Sequence, residues 1–440
     1  MFEIIPLLLC LQVILPKTTL GQLGHVVFAM LCNPKQATML GISRWSEKGG
    51  SYRTLQRWYQ TSIDWVQVHW LILTTHRLKS DGVYLLAGDE VVVSKAGKET
   101  HGVGRFYSGL AQRVIPGVSF MALSVIDVEA RQSYPLYVEQ IIPVAKDEEM
   151  PAPDPPKRPP GRPKGRKNYE KPDPELSPLL GLFQGMLDTI QPHMSEITVS
   201  HVVLDGKFGN YPSTWVVRAA GYHIISKMRR DAALYWPYEG DKPPRGPTPR
   251  YGHKLDYQHL PQQYLSHSED VGEYHVETYH MPLYHKDYPD LLNVVVVVKT
   301  HRKTGKRGHV VLFSTDRDLS AQQIIDYYSL RFQIEFNFRD AKQHWGLEDF
   351  MNTKQQSVTN AVNLSFLMVN LSQIMLEPYR VKESDFSVRD LKAQFRARRY
   401  LSETIKMLPE TPEPDLISRI WQRLSRFGAI RTSSTDDFAA

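Results

Sequence analysis

Residues 328–342 have the sequence Tyr328-Ser-Leu-Arg331-Phe-Gln-Ile-Glu335-Phe-Asn-Phe-Arg-Asp-Ala-Lys342, and they decide the interpretation of this 440-residue chain. The segment has no proline or glycine and belongs to a pattern that predicts one helix from Ser320 to about His344. At about 100° per residue, the four numbered side chains fall within an arc of roughly 60° on one helix face. A carboxylate flanked by aromatic, guanidinium and ammonium groups suits a site that grips phosphates around a metal ion.

The spacing Tyr-x2-Arg-x3-Glu-x6-Lys resembles the Tyr-Arg-Glu-Lys signature of the cut-and-paste DDE transposases of bacterial insertion sequences, insertion-sequence-four type. Four fixed residues at three fixed spacings seldom arise by chance. The likeness extends to segments 85–95 and 203–210, so it covers roughly residues 80–375. It implies an α/β fold, with a ribonuclease H-like catalytic core, a β-rich insert, an N-terminal helical domain and C-terminal helices.

The resemblance also implies a catalytic and metal-binding triad of Asp89, Asp205 and Glu335. In the family the first acid lies beside the opening strand, the second ends the fourth strand, and the third lies on the helix after the insert. Hard carboxylate oxygens select Mg²⁺ or Mn²⁺, and two such ions would support phosphodiester cleavage and strand transfer. Glu90 adjoins Asp89, so the first ligand has an alternative one residue away.

Hydrophobic periodicity and composition divide the chain into segments. Strands are predicted at Val83–Ala87, Glu90–Ser94 and Val118–Ile126, and a strand at Val199–Leu204 leads into Asp205. The predicted units are an N-terminal helical region that binds DNA (1–75), two parts of the core (80–146 and 179–229), a basic Pro-rich tether (147–178), the β-rich insert (230–315), the core helix with the third acid and the helix after it (316–380), and a C-terminal helical region (381–440).

Residues that would contact DNA are spread over several of these units. By resemblance, Tyr328, Arg331 and Lys342 would contact the phosphates near the transposon end, although Arg331 and Glu335 could instead form a local ion pair. Also by resemblance, Trp236 would stack on a flipped base, but it could equally belong to a small core of the insert. Lys227 and Arg229, which follow the predicted strand Tyr222–Ser226, would extend the same basic surface.

Two further basic segments are candidates for DNA binding. Ser51 can cap a short helix on which Arg53 and Arg57, one turn apart, share a face, as in a helix-turn-helix unit or a plain packing unit. In the tether, Gly161-Arg162-Pro163 followed by Lys164 and Arg166 resembles an AT-hook for the minor groove of A·T-rich DNA. A solvated linker is the alternative for the tether.

Composition supports a globular protein with an anionic partner. The formal net charge is +6, and the two cysteines, Cys10 and Cys32, exclude a disulfide framework or a cysteine-based zinc site. We expect no signal peptide and no membrane partner, and a cytoplasmic, nucleoid-associated location. The expected partner is double-stranded DNA, with the chain acting as a dimer in the DNA complex. The alternatives are a transposase-derived DNA-binding protein without catalysis and a two-metal nuclease of the same fold.

Overall fold

The computed structural model describes residues 4–46, 51–109, 111–143, 173–244, 246–410 and 412–424. The AT-hook-like residues Arg162, Lys164 and Arg166 lie outside these ranges. One large mixed sheet forms the centre of the described part. Its strands are β1 Val83–Ser94, β2 Gly104–Ser108, β3 Arg113–Asp127, β4 Gln132–Ile141, β5 Thr198–Leu204, β6 His223–Met228, β7 Leu234–Pro237, β8 Tyr251–Lys254, β9 Leu265–Val271, β10 Tyr274–His285, β11 Leu292–His301 and β12 Arg307–Ser314.

Strand β1 joins an antiparallel half of the sheet to a parallel one. It pairs antiparallel with β3, and β3 pairs antiparallel with β4 and β2. On its other edge β1 runs parallel to β5, which runs parallel to β6. Parallel neighbours need a crossover connection, and the helix α7 (Tyr211–Ala219) supplies it between β5 and β6. The core order is therefore β4-β3-β1-β5-β6.

The prediction of two short strands on either side of Asp89 is wrong. Residues 83–94 form one continuous strand, β1, and Asp89 and Glu90 pair with Ala122 and Met121 of β3 in its middle. Aspartate and glutamate have low strand propensity, which favoured a turn at this point of the sequence. Pairing with β3 along the whole strand and with β5 along half of it outweighs that local preference.

The strands of the predicted insert continue the same sheet. β12 pairs antiparallel with β6, and β11 and β10 follow in order. β10 also carries β9 on one stretch and β7 on another, and β7 pairs with β8. Backbone hydrogen bonds therefore join the strands of residues 234–314 to the half of the sheet that carries Asp89 and Asp205.

Helices cover both faces of the sheet. Alternate residues of β1 point to opposite faces, and apolar side chains on both faces are buried against helices. Leu85 and Ala87 face a core shared with N-terminal and C-terminal helices, whereas Leu86 faces a core shared with α6 (Pro178–Ile190) and α7. None of the helices in the described ranges has the length and apolar character needed to cross a bilayer. The other helices are α1 Ile4–Leu8, α2 Lys17–Cys32, α3 Met39–Trp45, α4 Tyr52–Trp58, α5 Trp65–His76, α8 Ala321–Leu330, α9 Gln333–Trp345, α10 Gln355–Arg380, α11 Val388–Met407 and α12 Pro414–Leu424.

Candidate active site

The register of two parallel strands brings Asp89 and Asp205 together. Gly88 of β1 is the register partner of Leu204, the last residue of β5, so the next residue on each strand is an aspartate. The backbone leaves the sheet after Leu204, and the Asp205 carboxylate accepts a hydrogen bond from the Lys207 amide at 2.9 Å. The Asp205 carbonyl accepts a second bond from the Ser226 hydroxyl of β6 at 2.8 Å. These two bonds hold Asp205 directly after the carboxyl end of β5.

Glu335 lies in the first turn of α9, and the helix that carries it is shorter than expected. The single helix predicted from Ser320 to about His344 is wrong, because the chain forms α8 and α9 with a break at Arg331 and Phe332. Across the break the backbone bonds span three residues, from the Arg331 amide to the Tyr328 carbonyl (3.2 Å) and from the Glu335 amide to the Phe332 carbonyl (3.1 Å). The backbone angles stay helical across the break, and α9 packs against β1 and β4, whereas α8 packs against β5, β6 and β12.

Arg331 joins two of the three acids. Its guanidinium donates to Asp89 Oδ2 at 3.3 Å through one terminal nitrogen and to Glu335 Oε1 at 3.1 Å through the other. The Arg331 side chain is only 15% exposed, and its Nε has no hydrogen-bond partner among the described residues. The local ion pair with Glu335 that the sequence allowed is therefore present, but it is one arm of a bridge to β1.

Burial and like charge act together on Asp89. Burial is the main cause that raises the pKa of its carboxyl to about 6, and the negative charges of Asp205 and Glu335 raise it further. A hydrogen bond from the Glu90 amide (2.8 Å) and the positive charge of Arg331 oppose the rise. Asp205 and Glu335 therefore each repel the buried Asp89 carboxylate, which follows from the β1–β5 register and from the position of α9.

Glu90 belongs to the opposite face of the sheet. Adjacent residues of a strand point to opposite sides, and the Glu90 carboxylate forms an ion pair with the Lys207 ammonium. Asp89 shares its side with Arg331 and Glu335. The geometry therefore favours Asp89 over Glu90 as the acid that acts with the other two.

The donor chemistry of this site fits a divalent cation. Carboxylate oxygens are the ligands that Mg²⁺ and Mn²⁺ prefer, and this site offers three acids, two of which share one guanidinium. In the described part of the chain, no three His, Cys, Asp or Glu side chains are close enough to hold an ion as they stand. The Arg331 guanidinium lies between Asp89 and Glu335, so these two carboxylates would have to exchange it for a cation.

Lys342 and Tyr328 have different surroundings from those expected. The Lys342 ammonium donates to the Val92 carbonyl of β1 at 2.8 Å and pairs with Glu348 at 3.1 Å, so its charge is used inside the chain rather than offered to DNA. Burial raises the pKa of the Tyr328 hydroxyl, and its ring lies 6.0 Å from the Arg331 guanidinium carbon. Tyr328 therefore lines the site, whereas Lys342 links α9 to β1 beside it.

Trp236 is buried among residues of the predicted insert, which agrees with the alternative that it belongs to a small core there. Its side chain lies in β7, is only 8% exposed and packs against Tyr264 with ring centroids 4.8 Å apart. A buried indole cannot stack on a nucleotide base without leaving this packing. The base-stacking role is therefore not supported by the position of Trp236.

The remaining predicted contacts are on the surface. Lys227 on β6 is exposed beside the turn at Gly206, and the exposed Arg229 pairs with Asp231 at 3.2 Å. Arg53 and Arg57 lie on the exposed side of α4, and the Ser51 side chain caps that helix, as predicted. The cap is confirmed. Arg53 and Arg57 are both open to solvent on this helix.

Two supporting residues were missed at the sequence level. Lys207 neutralises Glu90, and Lys95 at the end of β1 donates to the Phe350 carbonyl at 2.7 Å. Both residues stand within the segments 85–95 and 203–210, so their sequence positions were visible. Their partners lie far away in the chain, and only the tertiary structure identifies them.

One comparison with known families bears on this site. A family model described as "DDE superfamily endonuclease" matches residues 10–286. The matched segment includes Asp89 and Asp205 and ends at the end of β10, before Glu335. No curated protein matches the chain.

Proposed function

The chain belongs to the DDE superfamily endonucleases, and from this premise we propose that it is a transposase that cuts DNA at transposon ends and joins the freed ends to target DNA. The observation that carries the proposal is the arrangement around Asp89: the neighbouring strand β5 ends at Asp205, and Arg331 bridges Asp89 to Glu335. Family membership supplies the endonuclease class, and the three acids supply the site. The insertion-sequence-four type rests on the spacing of Tyr328, Arg331, Glu335 and Lys342.

The sheet order supports a ribonuclease H-like core for this proposal. An antiparallel meander, β1-β3-β4, is followed by two strands parallel to β1, and the acids lie on β1, after β5 and on a helix that packs over β1. Each acid thus comes from a different part of the chain. The long stretch of strands from β7 to β12 separates the second acid from the third.

Asp89, Asp205 and Glu335 would hold two Mg²⁺ or Mn²⁺ ions in the proposed enzyme. Such ions make water or a DNA 3′-hydroxyl a nucleophile and stabilise the departing oxygen. Arg331 would release Asp89 and Glu335 and offer its two terminal nitrogens to a phosphate, for which a guanidinium is well shaped. Tyr328, beside Arg331, would limit how that guanidinium can turn.

Other surfaces would position the DNA. Lys227 lies on the exposed edge next to the Asp205 turn, where it can reach the same backbone. Arg53 and Arg57 on α4 would contact DNA farther from the acids, and Arg162, Lys164 and Arg166 would bind the minor groove. Two transposon ends must be joined in one event, so we propose a dimer on the DNA.

Cleavage and strand transfer test this function with one substrate pair. A duplex that contains the terminal repeat of the element should be cut by the parent protein in Mg²⁺ or Mn²⁺, and a precleaved duplex with a free 3′-hydroxyl should be joined to plasmid DNA. Asp205→Asn should do neither, whereas Glu90→Gln should retain both, because Glu90 faces Lys207.

The outcomes separate the alternatives. Cleavage without joining would identify a nuclease of the same fold, and DNA binding without either reaction would identify a DNA-binding protein without catalysis. Equal cleavage by the parent protein and by Asp205→Asn would show that these acids are not the active site.

A further inference from the structure

A row of basic side chains lies on α11, away from the acids. Arg389, Lys392 and Arg396 are spaced by three and four residues, which puts them on one face of the helix. With His344 near the end of α9, they line a cavity of about 700 Å³ between the two helices. We call this cavity the basic groove.

No acidic residue lines the basic groove within the described part of the chain. Arg389 is exposed. Among the described residues, Arg389, Lys392 and Arg396 have no ion-pair partner. Burial, and then the neighbouring Arg396, lowers the pKa of Lys392 to about 8 against the attraction of Asp349. Burial also lowers the pKa of His344; the negative charge of Asp340 opposes this shift, and the charges of Lys392 and Arg389 add to it. The groove is therefore lined by basic and neutral side chains, while Asp340 and Asp349 act on His344 and Lys392 from outside the lining.

Helix stabilisation explains only one of these cations. Lys392 donates to the His344 carbonyl at 3.1 Å and lies 5.0 Å from the Trp345 ring centroid, where a positive charge favours the end of α9. Arg396 makes one bond to the Cys32 carbonyl at 3.3 Å, which leaves its other guanidinium donors free of described partners. Arg389 has no described partner. A purely structural role would not require all three.

The groove is connected to the acids through α9. Glu335 stands in the first turn of this helix and His344 in its last, nine residue steps apart. At about 1.5 Å per residue, these positions are roughly 14 Å apart along the helix axis. Nine residues at about 100° each also amount to a half-turn beyond two full turns, so His344 and Glu335 point to opposite sides of α9, and the basic groove is a surface separate from the acids.

We propose that the basic groove binds the phosphate backbone of the DNA on which the protein acts, as a contact separate from Asp89, Asp205 and Glu335. This inference rests on the proposed function. Phosphates are the closely spaced anions that match a row of cations on one helix face, and the small side chains of Ala393 and Ala397 leave room for a backbone to approach. An acidic protein segment is a different class of partner, and the experiment separates the two.

The test compares the full-length parent protein with Arg389→Gln/Arg396→Gln in EDTA. Anisotropy of a labelled duplex of about 30 base pairs gives the DNA affinity between about 50 and 200 mM salt. The quantity compared is the factor by which affinity falls between the two salt concentrations. Each lost phosphate contact should make this factor about 3.5-fold smaller, so in the double variant it should be about 12-fold smaller than in the parent. The control Lys98→Gln/Lys382→Gln removes two exposed charges elsewhere and should match the parent.

Each outcome decides the proposal. A salt dependence in the groove variant equal to that of the parent, with an unchanged melting temperature, would overturn it. So would binding of a polyglutamate peptide to the parent that the groove variant loses while DNA binding is unaffected. If the groove variant misfolds, Arg389→Gln alone, at an exposed position, should show a reduction of about 3.5-fold, and its absence would overturn the proposal. Loss of cleavage in the parent would contradict the proposed function without affecting these binding results.

Discussion

Neutralising Asp89 should stabilise the protein in the absence of metal, and more so at neutral pH than at acidic pH. Its carboxyl titrates near pH 6 in the folded chain instead of at the ordinary value of 3.8, mainly because it is buried. Folding therefore favours the protonated form. The stability from this proton is fully present below about pH 4 and is lost as the pH rises through about 6. Asp89→Asn keeps the shape of the protonated acid and avoids that loss.

The size of the effect follows from the pKa values. A rise from 3.8 to about 6 corresponds to roughly 3 kcal/mol of unfolding free energy at high pH, at about 1.4 kcal/mol per pKa unit. Between about pH 4.5 and pH 7.5, the advantage of Asp89→Asn over the parent should grow by about 2 kcal/mol. For 440 residues, at roughly 2.1 cal/mol/K per residue, this is a melting-temperature difference of about 2 °C.

Differential scanning fluorimetry in EDTA across this pH range provides the assay. The matched control is Glu90→Gln, which removes the adjacent acid but breaks an ion pair with Lys207 on the other face. It should show no gain that grows with pH. A melting-temperature difference between Asp89→Asn and the parent that stays constant, or shrinks, as the pH rises would refute the reasoning that burial and repulsion act on Asp89.

Three further predictions concern the surroundings of the site. Arg331→Ala should lower the stability of the metal-free protein by about 1–3 kcal/mol and weaken DNA binding in Ca²⁺, with little rescue by Arg331→Lys; parental stability and DNA affinity in the alanine variant, measured by melting and gel shift, would contradict this. Lys342→Met should cost about 1–2 kcal/mol in denaturant unfolding while DNA affinity stays within the error of the parent, since the ammonium is bound to Val92 and Glu348; a large loss of affinity with unchanged stability would restore a direct DNA contact. Replacing Arg162, Lys164 and Arg166 with Ala should weaken DNA binding, most for A·T-rich flanks, and reduce its salt dependence; gel-shift titrations identical to those of the parent would leave only a linker.

Sequence patterns predicted where elements begin and end better than whether they continue. The helix α6 (Pro178–Ile190) begins where local chemistry favours a helix, because the Ser177 side chain caps it and Pro178 stands in its first turn, where proline is favoured. Asp205 was expected to end a strand, and it directly follows β5. Local chemistry is sufficient for such features, because a cap, a proline and an apolar run are all contained within a few residues.

The errors arose where distant residues decide the local structure. Nothing in the sequence at Arg331 and Phe332 signals a helix break, since neither residue is glycine or proline. In the structure, Arg331 bonds to Asp89, a residue 242 positions away along the chain. The continuity of β1 through Asp89 and Glu90 similarly depends on its pairing with β3 and β5. Contacts of this length cannot be read from periodicity.

The basic groove shows the same limit in another form. The spacing of Arg389, Lys392 and Arg396 is visible in the sequence, but it is equally compatible with an ordinary solvated helix face. The position of His344 opposite this face, and the lack of acidic lining residues in the described structure, appear only when α9 and α11 are packed together. A charge pattern becomes a candidate site when tertiary contacts show what surrounds it.

Manganese binding tests the metal site most directly. Isothermal titration calorimetry of the full-length parent protein should detect two Mn²⁺ ions at a site that loses stoichiometry or affinity in each of Asp89→Asn, Asp205→Asn and Glu335→Gln. Glu90→Gln should bind as the parent does, because its carboxylate faces Lys207 on the other side of the sheet. Parental stoichiometry and affinity in Glu335→Gln would contradict the assignment of these three acids to one metal-dependent site.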